Sequence, residues 1–168
     1  LYQESAARKT ADKAINILQG RCVGGSTTVN WTSSFRTPPT TLQWWQSAWG
    51  LKRLGVDAMA PWFAAMERRL HIGLWPIPPN ENNAALARGA AQLGIPTAVM
   101  RRNVKLCWNL GYCGMGCPTN AKQSMLLTTL PAALTKGATL ISRLRAESFQ
   151  FSGNKAVALG AVAMKPDG

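Results

Sequence analysis

"GRCVGGSTTVNW", residues 20–31, sets two adjacent glycines ahead of three hydroxyl residues, Ser26, Thr27 and Thr28, and then Asn30. Gly24 and Gly25 permit close backbone approach and conformations closed to other residues. Ser26 and Thr27 add hydroxyl donors, and a helix opening there would turn its positive end toward a bound anion. The segment suits a clamp for phosphate or a similar anion, and its composition suits an ordinary Gly/Ser surface loop equally well. It has neither the Gly-Lys-Ser/Thr of a P-loop nor the GxGxxG of a dinucleotide-binding βαβ unit.

Around this loop, the bulk properties narrow the field. The 168 residues, 46% of them hydrophobic, suffice for one compact domain with a core of its own. The net charge of +12 raises the question of nucleic acid. The basic residues, however, are dispersed in pairs: Lys52-Arg53, Arg68-Arg69, Arg101-Arg102, and Arg143 with Arg145. Nucleic-acid binders concentrate charge on one face, so a basic nucleic-acid-binding module is an alternative and not the main expectation. No apolar run approaches the roughly 20 residues of a spanning helix, so no membrane span is expected in this segment. The chain opens at Leu1 and closes on "AVALGAVAMKPDG", a strand-like run entering a Pro-Asp-Gly turn. That reads as a hairpin stopped at its own turn, and so as a piece of a longer protein.

Periodicity assigns the elements. Residues 1–19 carry helix formers and then the short apolar run "AINILQG". From Thr40, "TTLQWWQSAW" has Leu42, Trp45 and Trp49 at helical spacing. "DAMAPWFAAMERRLHI" predicts a second helix with Asp57 as N-cap, Pro61 in its first turn, and Met59, Trp62, Phe63, Met66 and Leu70 on one face. Asn80 caps a third helix over residues 81–93, and "IPTAVM" reads as a short extended segment. The Gly/Cys/Asn-rich residues 103–120 read as a loop, followed by a helix over "AKQSMLLTTLPAALTKG" that Pro131 kinks and Gly137 stops. Two β-rich segments separated by Ser-Gly-Asn then signal a hairpin. Helices first and paired strands last make a mixed α+β chain without internal repeats.

The chemical inventory is sparse. His71, the only histidine, follows "ERRL" at a helix end, where a surface or capping role is the ordinary one. Neither a Ser/His/Asp set nor a carboxylate pair can be assembled, so no catalytic residue is assigned. Seven tryptophans, six of them from Trp31 to Trp75, are expected to pack rather than to line a binding box. Cys107, Cys113 and Cys117 fall in "CWNLGYCGMGC" without a CxxC pair, and Cys22 stands apart. Small buried thiols or a disulfide is the leading reading, and no metal is assigned. An iron–sulfur cluster on Cys107, Cys113 and Cys117 is the alternative.

The run Arg21-x-x-Gly24-Gly25-Ser26-Thr27-x-x-Asn30 resembles the flavin-contacting loop of the glucose–methanol–choline (GMC) family of FAD-dependent oxidoreductases. Downstream, "GCPTNAKQSMLLTTLPAALTKGATL" is similar to that family's "GC…AK.S" stretch, and "TLQWWQSAWGLKRLGVDAMAPWFAAMERRL" takes the place of the helical segment between them. "CWNLGYCGMGCPTNAKQS" looks like a branch of bacterial alcohol and sugar-acid dehydrogenases, choline dehydrogenase-like flavoproteins in the broad sense. The resemblance implies part of a FAD-binding domain plus a helical segment of the substrate or cap domain. It divides the chain into a FAD-binding loop region at 1–35, a cap or substrate-side segment at 36–119, and a return to the FAD-binding domain at 120–168. It implies that Arg21, Gly24, Gly25 and Ser26 hold the FAD phosphates, that Thr27, Asn30 and Trp31 lie nearer the ribityl chain and ring, and that the backbone near Ala146 meets adenine. In some family members a histidine before the Asn bonds the flavin covalently; Val29 stands there, so the FAD is expected to be non-covalent. The implied partners are a small-molecule alcohol or sugar and the remaining N- and C-terminal parts of the same chain. Those parts would carry the GxGxxG motif and the catalytic histidine.

Overall fold

The computed structural model describes residues 1–165, which group into two units, Leu1–Pro131 and Ala132 onward. The Pro-Asp-Gly turn expected at residues 166–168 lies outside the described residues.

In the first unit the opening stretch is a loose antiparallel excursion. Tyr2 bridges Gly20 and Lys9 bridges Asn16, with one 3₁₀ turn over Gln3–Ala6. Helix α1 spans Pro39–Trp49, and its two leading prolines pre-set the helical φ where missing N–H groups cost nothing. Helix α2, Val56–Arg69, departs from expectation: Gly55 is its N-cap, and Asp57 lies inside the first turn without making a cap bond. Its acidity there still complements the helix N-terminus. Pro61 lies beyond the first turn and is exposed, so the helix tolerates it on its open face. Helix α3, Glu81–Gln92, starts as expected, with the Asn80 side chain accepting the Asn83 N–H at 2.9 Å.

Two short strands, β1 (Ile72–Leu74) and β2 (Arg101–Asn103), pair antiparallel, with Ile72 opposite Asn103 and Leu74 opposite Arg101. The strand begins where "IPTAVM" ends; residues 95–100 themselves are irregular. Beyond this pair, Ser33 bridges Arg102 and Val104 bridges Lys122. These two bridges fasten the tail of the glycine loop and the start of the "AKQS" stretch to the same strand.

That second bridge explains the largest correction. Residues 121–128 do not form the expected helix. The Gln123 N–H goes to the Asn103 carbonyl at 2.9 Å, and the Ala121 carbonyl takes the Lys105 N–H at 2.8 Å. Backbone groups committed to a neighbouring strand are lost to a helical ladder. Helix α4 therefore covers only Thr129–Thr135, with Pro131 in its first turn rather than at a kink.

The second unit carries the hairpin. Strand β3, Leu144–Ser152, pairs antiparallel with β4, Lys155–Ala163, through a two-residue Gly153-Asn154 turn. Register shifts at Ala146/Ser148 and Gln150/Phe151 mark bulges. Nearly every hairpin residue is exposed on both faces, Phe149, Phe151, Val157 and Leu159 included.

The core is thin and largely polar. Val29, Leu42 and Ala121 are the buried apolar residues among those described, alongside Thr32, Asn103, Lys122 and Ser124. This is thinner than the core expected of one compact domain. It overturns packing as the general role of the tryptophans: Trp31, Trp44, Trp49, Trp62 and Trp108 are all more than half exposed. Two of them meet edge to face, Trp44 and Trp49, and Arg102 stacks over Trp75 at 4.5 Å.

Candidate functional site

The glycine loop takes its shape from its own sequence. Gly24 sits at φ 90° and Gly25 at φ 60°, both in the left-handed region, and a single 3₁₀ turn follows over Gly25–Thr28. The two glycines do different work. A Cβ on Gly24 would stand 2.6 Å from Thr28 Oγ1 and 3.0 Å from both Cβ and backbone N of Leu126, so this glycine is there for close packing. A Cβ on Gly25 would meet nothing within 4 Å. Gly25 is the open one.

Hydroxyls stiffen the bend. Thr27 Oγ1 donates to the Gly24 carbonyl at 2.6 Å and accepts the Met125 N–H at 3.0 Å. Ser26 Oγ accepts the Gly20 N–H at 2.9 Å, and Thr28 Oγ1 donates to the Val23 carbonyl at 3.0 Å. Thr27 thus spends its hydroxyl on the loop and its neighbour, whereas Ser26 and Arg21 are exposed residues of the same loop. The Ser26 carbonyl collects the N–H groups of Val29 and Asn30, which closes the turn and leads the chain into Trp31.

A second segment is laced to this loop. Tyr2 Oη donates to the Gly114 carbonyl at 2.5 Å. Gly114 is buried because a Cβ there would lie 3.1 Å from the Trp31 ring. The Lys122 ammonium donates to the carbonyls of Asn30, at 2.9 Å, and Cys113, at 2.5 Å. Lys122 is 3% exposed, and burial pushes its pKa below the usual lysine range, against a smaller opposing pull from Cys113, Cys117 and Cys22. Beside it, a cavity of about 360 Å³ is lined by Thr28, Tyr112, Cys117, Lys122, Ser124 and Leu127, among others.

Of the residues singled out in the sequence, Arg21, Gly24, Gly25, Ser26, Thr27, Asn30 and Trp31 therefore share one bend. Ala146 belongs to the other unit, on β3 opposite Ala161. Sequence reasoning passed over Tyr2, Gly114, Lys122 and Met125, the residues that pin the bend from outside. Only the "AK.S" pattern signalled any of them.

The cysteines are all free and half-buried. Among the described residues no three His, Cys, Asp or Glu side chains come together to hold a metal, so the geometry gives no footing to a cluster on Cys107, Cys113 and Cys117. His71 is exposed just past α2, as expected.

A larger cavity, about 540 Å³, lies elsewhere in the first unit. Phe35, Phe63, Met66, Ile72, Val99 and Met100 form its apolar wall. On its polar edge Arg36 makes a two-pronged bond to Glu67, at 2.8 and 2.7 Å, with Arg101 3.9 Å from the same carboxylate. The Arg36 hydrogen bond holds the Glu67 carboxyl below its usual pKa.

Comparison with known proteins converges on one family. The GMC oxidoreductase family model matches residues 1–168. An uncharacterized GMC-type oxidoreductase of Mycobacterium tuberculosis is 32% identical over all of this chain and 27% of its own length. A long-chain-alcohol oxidase of Arabidopsis thaliana is 30% identical over 92% of this chain and 21% of its own. The chain thus spans about a quarter of the length of the curated relatives it matches. No solved structure matches it. Nothing in these matches supports a nucleic-acid-binding module.

Proposed function

The chain belongs to the GMC oxidoreductase family, and from that premise we propose that it contributes the phosphate-clamping part of the FAD site in an enzyme that oxidises a CH–OH donor. The carrying observation is Gly25. It is held at φ 60° with open space where a side chain would stand, in a loop that also carries the exposed residues Arg21 and Ser26. Such a bend accepts a diphosphate: bare backbone approaches closely, and a guanidinium and a hydroxyl neutralise and orient the oxygens.

In this reading Arg21, Gly24, Gly25 and Ser26 hold the phosphates, Thr27 fixes the bend, and Asn30 and Trp31 face the ribityl chain and ring. The backbone at Ala146 meets adenine. Val29 is buried and apolar, with no atom able to bond the flavin, so the cofactor is held non-covalently. When bound, the flavin supplies a two-electron acceptor for a hydride, taken at N5. No base in this chain is assigned to the accompanying proton. Residues 1–35 and 120–168 serve the FAD-binding part and residues 36–119 the substrate side.

The donor class follows from the larger cavity. Its apolar wall favours an alcohol with an alkyl chain over a sugar, whose hydroxyls would find few partners there. Similarity to a long-chain-alcohol oxidase supports the same choice.

The test is direct. The purified full-length protein should show flavin absorbance, release intact FAD on acid denaturation, and turn over primary alkyl alcohols faster than glucose. Gly25→Trp should purify without FAD. A full-length protein that is colourless and takes up no added FAD refutes the cofactor reading. Faster oxidation of glucose refutes the donor class alone.

A further inference from the structure

Lys122 presents an unusual arrangement: a lysine 3% exposed, with no carboxylate partner among the described residues, whose ammonium reaches two backbone carbonyls on separate segments. We propose that Lys122 is a positioning residue, which ties the Asn30 carbonyl to the Cys113 carbonyl and thereby sets where the Asn30-Trp31 end of the glycine loop stands against its neighbour.

Burying a cation is costly unless its hydrogen bonds are made. Here the cost is offset only by carbonyls, and those belong to the two strips of backbone that must lie side by side. One is the closing end of the loop, where the Asn30 N–H is already tied to the Ser26 carbonyl. The other is the 3₁₀ turn Cys113–Met115, whose Gly114 lies under the Trp31 ring. Val104 anchors Lys122 from behind through its β-bridge, so the side chain springs from fixed backbone. The remaining pins have other targets. Thr27 and Met125 fasten the beginning of the bend, Tyr2 Oη reaches the Gly114 carbonyl and, at 3.4 Å, the Val29 carbonyl, and Arg102 donates to the Trp31 carbonyl at 3.0 Å. Lys122 alone among these supplies a charge-assisted bond to the Asn30 carbonyl. The lowered pKa agrees with desolvation of the ammonium.

This assignment rests on the FAD reading for its consequence, though not for its geometry, and two measurements separate them. Hydrogen exchange followed by mass spectrometry on cofactor-free full-length protein reads the loop itself. Lys122→Met should exchange faster in peptides covering residues 20–32 and 113–117, with other segments unchanged, and Lys122→Arg should restore part of the protection. Lys105→Met, which removes an exposed lysine on the neighbouring segment, should leave the pattern as it is. FAD titration reads the consequence: Lys122→Met should bind about tenfold more weakly, the size of one lost charge-assisted hydrogen bond, with a shifted flavin band in the bound form. Exchange in Lys122→Met that is unchanged in those peptides, or raised uniformly over the whole chain, overturns the proposal. Should Lys122→Met not fold, the same readings on Lys122→Arg decide it: protection equal to wild type in both peptides overturns it. The local exchange effect in Lys122→Met, together with a wild-type protein that binds no FAD, overturns the cofactor reading and leaves Lys122 as the tie.

Discussion

Gly24 and Gly25 are adjacent and both left-handed, yet they should respond very differently to one added methyl group. Gly24→Ala incurs two costs. An L-residue in the left-handed region loses about 1–2 kcal/mol, and φ 90° lies beyond the small allowed well. The new Cβ would also stand 2.6 Å from Thr28 Oγ1 and 3.0 Å from Leu126 N. A threonine rotamer can turn aside, though only by giving up its bond to the Val23 carbonyl. The Leu126 backbone has no such freedom. Overpacking of this kind costs about 1–3 kcal/mol, so the total is about 2–5 kcal/mol. Gly25→Ala incurs only the conformational cost, about 1–2 kcal/mol, since nothing lies within 4 Å. Asparagine tolerates the left-handed region better than alanine, so Gly25→Asn should be milder still. Urea unfolding of the three variants, followed by circular dichroism, should order their midpoints Gly25→Asn, Gly25→Ala, Gly24→Ala from highest to lowest. Adding Thr28→Ala to Gly24→Ala should recover part of the loss, a coupling expected of atoms in direct contact. Equal losses at the two glycines, or a larger loss at Gly25, would refute the division between a packing glycine and an open one. FAD affinity should reverse the order of sensitivity, with every Gly25 substitution felt out of proportion to its effect on stability.

Three further outcomes follow from single contacts. Asn80→Ala should lower stability by about 1 kcal/mol in urea unfolding, because α3 loses the side chain that accepts its Asn83 N–H. Glu67 has its folded pKa held down by Arg36, so its contribution is present above the ordinary glutamate range and is lost as pH falls through the folded value; Arg36→Met should flatten that acid limb in melting curves recorded against pH. At Cys117, burial raises the thiol pKa, but hydrogen bonds from Thr119 and from the backbone N–H groups of Lys122, Thr119 and Ala121 outweigh it and leave the pKa lowered. Iodoacetamide at mildly alkaline pH should therefore label Cys117 ahead of the other cysteines, and Thr119→Val should slow it.

Where the sequence could be read, the determining forces were local. The spacing of Leu42, Trp45 and Trp49 places α1, Asn80 starts α3, and Ser-Gly-Asn turns the hairpin. Each acts within a few residues of where it is written. The twin glycines belong to the same class, since a positive φ is a property of one residue. The tryptophans mark the boundary of such reading. Their spacing does put them on helices, but burial depends on what stands opposite, and in this chain Trp44, Trp49 and Trp62 face outward.

Residues 121–128 show why the rest was hidden. "AKQSMLLT" has helical composition, and nothing within a turn of it argues otherwise. The competitor is an edge supplied by Asn103 and Lys105, which claims the Gln123 N–H and the Ala121 carbonyl before a helix can. The Asn103 side chain adds its Nδ2 donor to the Gln123 carbonyl at 3.0 Å. With residues 121–123 extended along that edge, Lys122 and Ser124 lie buried, and Lys122 can span to a carbonyl 92 residues earlier in the chain. Had this segment coiled as its composition suggests, the lysine would have lost the strand backbone that anchors it, and the closing end of the glycine bend its charge-assisted tie. The failed helix and the fixed loop are one event, decided by backbone hydrogen bonds across long sequence separations.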